Sequence, residues 1–227
     1  MNTRIAEGSS ALFSEMIPDL SYESEFNDWY DHEHIPLRMG VPGFLSAQRY
    51  LIPETHHYFV VYEMTSAAVL KTTSYQQIKN NPSERSIRML GSVRGFTRYI
   101  GEQIGTHARE SSAKAGLLDA PHLCVDFFSV PPERQPEFNN WYEKDYTPAL
   151  RERKDWMMAR RFRIIEGEPE NYTHLSLHYL ADPRDLASPE PGWARASYWP
   201  GHLAQESWFK ARRLVFAKHG VRQGSAG

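Results

Sequence analysis

The sequence predicts an α+β protein made of two tandem modules. The chain has 227 residues, and residues 25–36 (EFNDWYDHEHIP) return in altered form at residues 137–148 (EFNNWYEKDYTP), an offset of 112 residues that is close to half of the chain length. Both halves also show the same order of strand-like and helix-like periodicity. A solenoid is excluded because it needs at least three short repeats. We therefore expect two copies of one module.

The first module begins with a strand and an aromatic helix. Residues 11–17 precede a proline and are predicted to form a short strand. Helical spacing continues from Tyr22 to about Ile35, and Pro36 is expected to end or kink the helix because its ring collides with the carbonyl four residues earlier. One face of this predicted helix carries Phe26, Trp29, Tyr30, Glu33 and Leu37.

The remaining elements complete a β-α-β-β-α-β order in each copy. In the first copy we predict strands at 44–52, 58–64 and 95–104, a helix at 67–79, and a second short helix after 81–84. In the second copy we predict strands at 122–130, 157–166, 172–180 and 211–218, with helices at 134–153 and 193–210. This order is the split βαβ arrangement of a ferredoxin-like module.

The predicted fold class is α+β, with two ferredoxin-like modules packed sheet to sheet. A four-stranded sheet with helices on one face leaves its other face uncovered, so two such sheets can enclose a barrel-like space. Concave apolar enclosures of this kind are where small ligands bind. The expected organisation is a first module at 10–106, a linker at 107–119, a second module at 120–219, and a flexible tail at 220–227.

Composition and charge exclude several classes of partner. The formal charge is −2, so no basic field attracts nucleic acid or anionic lipid. No apolar run is long enough to span a membrane, and residues 1–10 lack the apolar core of a secretory signal. The single cysteine, Cys124, lies in an apolar run and is expected to be a buried thiol. We expect a cytoplasmic protein that binds neither nucleic acid nor membrane, and a homodimer is an open alternative.

Four motifs in the first half resemble one known family. They are WYDHEHIPLR at 29–38, VPGF at 41–44, NPSER at 81–85 and RYIGEQI at 98–104. In this order they resemble the EthD-like branch of the dimeric α/β-barrel superfamily. The resemblance is specific over residues 11–105, and over 120–218 it rests mainly on the repeated order of elements.

This resemblance implies a fold and a range of activities. Family members are ferredoxin-like modules that pair into barrels, and many act on hydrophobic or aromatic small molecules as isomerases, cyclases, lyases or cofactor-free oxygenases. The histidine that recurs at the end of the family's first helix matches His34, and Tyr146 stands at that place in the second copy. His34 is thus a candidate general acid or base. The alternative is a histidine that only caps helix carbonyls beside Pro36.

The carboxylate of Glu33 is unusual because it shares its predicted helix face with aromatic residues. Burial would raise its pKa unless a cation or a hydrogen-bond donor pairs with it, and the candidate partners are Arg38, Arg49 and Arg98. Two roles are open for Glu33: a structural ion pair, or the orientation of a catalytic His34.

The predicted strands and helices supply further candidate site residues. The hydroxyl groups of Tyr50 and Tyr62 are candidates for polarising a substrate oxygen. The candidate substrate-binding residues are Arg49, Trp29, Tyr146 and Tyr58. The structural alternative is a place in the core for the tyrosines, and for Arg49 an ion pair with Glu33.

No metal and no cofactor are expected from the sequence. The ten histidines include the dense runs 31–34 and 56–57, but neither run has the i, i+4 histidine pair of a helical zinc motif. The sequence also lacks a Gly-x-Gly-x-x-Gly motif or a phosphate loop. Some related barrels hold haem, but the chain carries no haem-specific motif.

The main functional hypothesis is a cofactor-independent acid/base enzyme that acts on a small hydrophobic or aromatic substrate in the barrel cavity. The reaction classes are isomerisation, cyclisation, dehydration and lyase chemistry. His34 would move the proton, Glu33 would orient His34, and Arg49, Tyr50 or Tyr62 would polarise a substrate oxygen. The alternatives are a non-catalytic small-molecule binding protein, and an oxygenase or haem protein of the same fold.

Overall fold

A computed structural model of the chain describes residues 8–109, 116–184 and 203–225. The chain divides into two compact units. The first consists of Met1–Gln103, Ile165–Pro169 and His219–Gly227, and the second of Ile104–Ile164 and Glu170–Lys218. The first boundary between the units therefore lies at residues 103 and 104, ahead of the predicted linker.

The first unit contains a four-stranded antiparallel sheet and four helices. In chain order the elements are β1 (Ser10–Met16), α1 (Glu23–Trp29), a π-helical turn (Tyr30–His34), α2 (Ile35–Met39), β2 (Phe44–Ile52), β3 (His57–Met64), α3 (Thr73–Asn80), α4 (Glu84–Gly91) and β4 (Arg98–Ala108). The strands lie in the order β4-β1-β3-β2. Residues 67–71 form a 3₁₀ turn, so the predicted helix at 67–79 is shorter and begins at Thr73.

The second unit repeats the strand and helix order. Its elements are β5 (His122–Phe128), α5 (Gln135–Trp141), a π-helical turn (Tyr142–Tyr146), α6 (Thr147–Arg151), β6 (Trp156–Glu168), β7 (His174–Leu180) and β8 (Arg212–Gly224). The strands lie in the order β8-β5-β7-β6. Most of the predicted helix at 193–210 lies outside the described residues, and its described part forms two 3₁₀ turns, Leu203–Gln205 and Ser207–Phe209.

The predicted fold class is confirmed as an α+β fold of the ferredoxin-like, dimeric α/β-barrel type. Two predicted boundaries differ from the structure. Residues 220–224 belong to strand β8 rather than to a flexible tail, and residues 107–108 belong to β4 rather than to the linker. In both places the chain continues a strand beyond the end that its apolar pattern predicts.

The core of the first unit lies between the sheet and the helices. Alternate strand residues face the helices, as the two-residue period of a strand requires. The buried cluster includes Leu12, Met16, Tyr58, Val60, Tyr62 and Met64 from the strands, and Phe26, Trp29, Tyr30 and Ile35 from the helical segment.

The first helical segment does not end at Pro36. It continues to Met39 through the π-helical turn, in which the Ile35 amide donates to the carbonyl of Tyr30, five residues earlier. Such a turn adds one residue to a helix and leaves a carbonyl without an amide partner, which accommodates a proline that has no N–H. The second unit has the same turn, with the Thr147 amide bonded to the carbonyl of Tyr142 ahead of Pro148.

The added residue also changes which side chains face inward. Regular helical spacing from Phe26 predicts that Glu33 and Leu37 lie on the buried face, but Leu37 is 45% exposed. One residue further along the chain, His34 is only 7% exposed. The π-helical turn therefore moves the inward positions from Glu33 and Leu37 to His34 and Arg38.

Candidate functional site

The first unit encloses a small chamber between its sheet and its helical face. The chamber has a volume of about 70 Å³, enough for two or so water molecules at ~30 Å³ each. Part of the chamber wall is apolar and is formed by Leu12, Met16 and Phe96. Its polar lining consists of Ser14, Tyr30, His34, Arg38, Tyr62, Tyr75 and Arg98.

A larger cleft of about 980 Å³ opens beside the chamber, with walls from α2, α3 and α4. This volume lies in the range of small-molecule sites, about 300–1,000 Å³. Leu37, Val41 and Ile78 make part of its apolar lining. His34 and Arg38 line both the cleft and the chamber, so these two side chains stand at the junction of the two spaces.

His34 is a buried, neutral imidazole at this junction. Its ring centroid lies 4.3 Å from that of Trp29 and 4.7 Å from that of Tyr30. Burial holds the pKa of His34 well below 6.5, and the charges of Arg38 and Arg49 lower it further. An unprotonated ring nitrogen is therefore available as a proton acceptor at neutral pH.

Trp29 positions the histidine. The indole N–H of Trp29 donates to the hydroxyl of Ser86 at 3.0 Å, which attaches the aromatic ring to α4. Trp29 was predicted to contact the substrate, but it lines neither the cleft nor the chamber. Its ring belongs to the buried cluster and packs against His34. Its fixed ring holds one side of the imidazole in place.

Glu33 does not orient His34. Its carboxylate accepts hydrogen bonds from the hydroxyls of Ser83 and Ser86, and lies 4.0 Å from a guanidinium nitrogen of Arg85. The prediction that Arg38, Arg49 or Arg98 pairs with Glu33 is wrong, because the π-helical turn points Glu33 toward α4. The structural role that was left open for Glu33 is the one these contacts support.

Tyr30 and Tyr62 form a hydroxyl pair in the chamber. The Tyr62 hydroxyl donates to that of Tyr30 at 3.1 Å. Burial raises the pKa of both phenols above 10.0, so both remain protonated donors. Tyr62 was predicted from its place on a strand, whereas Tyr30 was predicted only as a core residue.

Arg38 and Arg98 are the two cations of the chamber. One terminal nitrogen of Arg38 donates to the His34 carbonyl at 3.0 Å, and the guanidinium lies 5.5 Å from the ring centre of Tyr62. Arg98 donates to Glu166 at 2.5 Å. Burial opposes the charge of Arg98, but hydrogen bonds to Glu166 and Tyr75 outweigh it and raise its pKa. The sequence offered both arginines only as partners of Glu33.

Arg49 is a structural residue rather than a substrate ligand. Its guanidinium donates to Asp31 at 2.8 Å and to Asn27 at 2.5 Å, and lies 4.5 Å from the ring centre of Tyr30. The predicted ion pair with Glu33 is replaced by one with Asp31. This arrangement supports the ring of Tyr30 from behind the chamber.

The second unit contains the same arrangement around Arg161. Arg161 donates to Glu143 and to Asn139 at 2.6 Å each, and lies 3.9 Å from the ring centre of Tyr142. These three partners stand 112 residues after Asp31, Asn27 and Tyr30. A cluster kept in both units, only one of which carries a histidine at the junction position, belongs to the fold.

Replacing Arg49 by methionine is expected to destabilise the protein by about 2–3 kcal/mol, because Asp31 loses its buried partner and the ring of Tyr30 loses its support. Urea unfolding followed by tryptophan fluorescence measures this change. The control is Arg88→Met, which removes an exposed ion pair to Glu25 and should cost less than about 1 kcal/mol. Equal costs for the two variants would contradict the structural role of Arg49.

The other predicted site tyrosines lie elsewhere. Tyr50 pairs in register with Phe59, whose strand neighbours Tyr58 and Val60 belong to the cluster that faces the helices. Tyr50 is therefore on the opposite face of the sheet from His34, and a β-bulge after Phe44 sets this parity. A catalytic role for Tyr50 beside His34 is ruled out by this placement.

Tyr58 and Tyr146 are held by their own hydrogen-bond partners. The Tyr58 hydroxyl donates to Glu23 at 2.7 Å and accepts from Asn27 at 2.9 Å, and burial raises the pKa of Tyr58 to about 12. Tyr146, in the second unit, accepts a hydrogen bond from Arg213 at 2.9 Å. Neither tyrosine lines the chamber or the cleft at His34.

The chain is similar to several solved structures along almost its whole length. An anthrone oxidase-like protein superposes with a TM-score of 0.69 at 10% identity, covering 99% of this chain and 96% of that one. A mutant chlorite dismutase from Candidatus Nitrospira defluvii gives 0.58 at 11% identity, with 97% and 96% covered. A candidate monooxygenase from Fusobacterium nucleatum gives 0.53 at 10% identity, with 97% and 94% covered. No protein-family model and no curated protein sequence matches the chain.

At these identities the likenesses show the fold. They also correct the main functional hypothesis, because these neighbours carry names of oxidases, monooxygenases and a chlorite dismutase, not of isomerases, cyclases, dehydratases or lyases. The loss of Glu33 as a partner for His34 weakens that hypothesis independently. The oxygenase alternative fits the neighbours better.

The surroundings of His34 and His178 do not fit a haem. The charges of Arg38 and Arg49, which disfavour a proton on His34, equally disfavour a ferric ion on the same ring. His178 is fully buried with one ring nitrogen 3.3 Å from Asp126, which leaves no open space for an iron and its porphyrin.

Two further features concern the described residues as a whole. Within residues 8–109, 116–184 and 203–225, no group of three or more His, Cys, Asp or Glu side chains is arranged to hold a metal ion. None of the helices in these ranges combines the length and the apolar character needed to span a bilayer. Cys124 is buried, as predicted, and burial raises the pKa of its thiol.

Proposed function

We propose that the protein is an oxygenase that uses molecular oxygen to oxidise a small aromatic substrate with an acidic C–H group. The observation that carries this proposal is the position of His34, a buried neutral base at the junction of a substrate-sized cleft and a small chamber. The likeness to an anthrone oxidase-like protein and to a candidate monooxygenase supports the choice of oxygen chemistry.

The cleft and the chamber suit different reactants. The cleft of about 980 Å³ has room for a molecule of several fused rings, and its wall includes Leu37, Val41 and Ile78. The chamber of about 70 Å³ admits only a molecule of a few atoms such as dioxygen. A substrate carbon placed beside His34 would therefore lie close to dioxygen in the chamber. Holding two reactants next to each other lowers the entropic cost of their reaction.

The reaction begins with proton transfer. The neutral ring of His34 accepts a proton from the acidic substrate carbon, and leaves a carbanion whose charge spreads over the aromatic system. The carbanion passes one electron to dioxygen, and the resulting radical pair joins to form a C–O bond. The proton on His34 returns to the outer oxygen and gives a hydroperoxide.

The second half of the reaction releases water. The hydroperoxide loses its second C–H proton while the O–O bond breaks, which gives a ketone. The balance is R₂CH₂ + O₂ → R₂C=O + H₂O, so the substrate supplies all four electrons. The protonated hydroxyls of Tyr30 and Tyr62 can donate to the charged oxygen atoms that form in the chamber.

An oxygen electrode with anthrone as the probe tests this function. We expect the purified protein to consume one molecule of dioxygen for each molecule of anthraquinone formed, with no release of hydrogen peroxide. Isotope-labelled dioxygen should place one labelled atom in the quinone and the other in water. Tight binding of anthrone without oxygen uptake would contradict the proposal and favour the non-catalytic binding protein.

We also propose that the chain is a tandem duplication within the EthD-like branch. The helix, π-helical turn and helix at 23–39 correspond to those at 135–151, and the clusters around Arg49 and Arg161 correspond in the same way. The domain organisation into modules at 10–106 and 120–219, a cytoplasmic location, and a homodimer remain predictions from the sequence. Size-exclusion chromatography with light scattering tests the last of these.

A further inference from the structure

Arg38 carries a charge that no carboxylate of the described residues neutralises. Three other arginines of the first unit have such a partner: Arg49 has Asp31, Arg85 has Asp28, and Arg98 has Glu166. Among the described residues Arg38 donates one hydrogen bond, to the His34 carbonyl, which is an uncharged group.

The Nε atom of Arg38 is a second sign of an unfilled site. This nitrogen is fully buried and has no hydrogen-bond partner among the described residues. A buried donor without an acceptor is costly, and in native proteins it usually marks a functional group or a ligand position. The planar guanidinium presents Nε–H and a terminal N–H side by side, the geometry that binds an anionic oxygen.

The surroundings of Arg38 favour an anion on an aromatic molecule. The charged and titratable groups that line the chamber with it are His34, Tyr30, Tyr62, Tyr75 and Arg98, none of them acidic at neutral pH. The carboxylate that lines the cleft is Glu33, which is already bonded to two serine hydroxyls. Apolar side chains, among them Leu37, Val41 and Ile78, form part of the cleft wall and can contact a ring system.

We propose that Arg38 forms an oxyanion subsite, and that the substrate is a hydroxyaromatic or an enolisable aryl ketone bound through its phenolate or enolate oxygen. This inference rests on the proposed oxygenase function, for which it names the substrate class. An adjacent cation lowers the pKa of an acidic group by about 1–3 units. Arg38 therefore stabilises the negative charge that appears on the substrate oxygen when His34 accepts the proton from carbon.

Binding of two probes under nitrogen tests the subsite without turnover. The probes are para-nitrophenolate and its uncharged methyl ether, para-nitroanisole, measured by isothermal titration at a pH where the phenol is ionised. We expect wild-type protein to bind the phenolate about tenfold or more tightly than the ether. Arg38→Gln should abolish this preference, whereas Arg38→Lys should retain part of it because the charge remains.

Controls separate this proposal from the oxygenase function. Arg88→Gln removes an exposed guanidinium of α4 that lines neither cavity, and should leave the preference intact. Equal affinities for the two probes in wild type, or an undiminished preference in a folded Arg38→Gln variant, would overturn the subsite. Loss of oxygen uptake alone would overturn only the oxygenase.

Discussion

Replacing His34 by glutamine is expected to lower kcat/KM for oxygen uptake with anthrone by about a hundred- to ten-thousand-fold, the usual contribution of a positioned general base. Glutamine keeps the length and polarity of the side chain but cannot accept a proton at neutral pH. His34 packs between Trp29 and Tyr30, so the folding of the variant must be checked. Circular dichroism and a thermal melt should show that it is folded. His56→Gln is the matched control, since His56 lies on a turn and pairs with Glu23.

The pH dependence of wild-type activity follows from the same histidine. Below its pKa the ring of His34 is protonated and cannot accept a proton from the substrate. Burial and the charges of Arg38 and Arg49 hold that pKa well below 6.5, so activity should stay constant as the pH falls through 6.5 and should decrease only in more acidic solution. An acidic limb centred at 6.5, or full activity of His34→Gln, would refute the role of His34.

Replacing Asp126 by asparagine is expected to destabilise the protein by about 2–3 kcal/mol, because the half-buried Arg213 and the fully buried His178 lose a charged acceptor. Asp126 is fully buried and accepts two hydrogen bonds from Arg213, at 2.7 and 2.6 Å. The measurement is urea unfolding at neutral pH. Asp119→Asn is the control, because its ion pair with Lys218 is partly exposed and should contribute less than about 1 kcal/mol.

Acid should reduce the difference between wild type and Asp126→Asn. Burial alone would raise the pKa of Asp126, but Arg213 and His178 outweigh it and hold the pKa well below 3.8. A carboxylate whose pKa is lowered by folding stabilises the protein above the pKa of the unfolded state, and loses that contribution as the pH falls. The double variant Asp126→Asn/Arg213→Met should recover part of the lost stability, since it removes both charges. A cost that is unchanged at low pH would contradict the ion pair as its cause.

The strands were predictable because their signal is local. The two-residue alternation in 44–52 gives the bounds of β2, and the alternation in 58–64 gives β3 to within one residue. The position of the first helix was predictable, but which of its residues after Tyr30 face the core was not. Nothing in its spacing marks the π-helical turn at Tyr30–His34.

The candidate site was predictable only in part. The family resemblance directs attention to His34, but the chamber also needs Arg38 and Arg98, which come from a helix and a strand far apart in sequence. The sequence names Tyr50 as a candidate without a sheet face, and a single β-bulge after Phe44 sets the parity that puts it opposite His34. Which side chains share a cavity depends on such one-residue offsets, and these are set by tertiary packing.

The π-helical turn decides which side chains of the first helical segment face the cavity, whatever the chemistry of those side chains. In a regular helix each residue rotates the side-chain direction by about 100°, so a regular helix over the same residues would replace the imidazole of His34 and the guanidinium of Arg38 at the cavity wall by the carboxylate of Glu33 and the isobutyl group of Leu37. The second unit retains the turn but presents Tyr146 and Leu150 at the equivalent positions, both buried. The same backbone turn thus presents His34 and Arg38 in the first unit and Tyr146 and Leu150 in the second. The second unit therefore shows what the turn does for the fold when no histidine and no arginine occupy these positions.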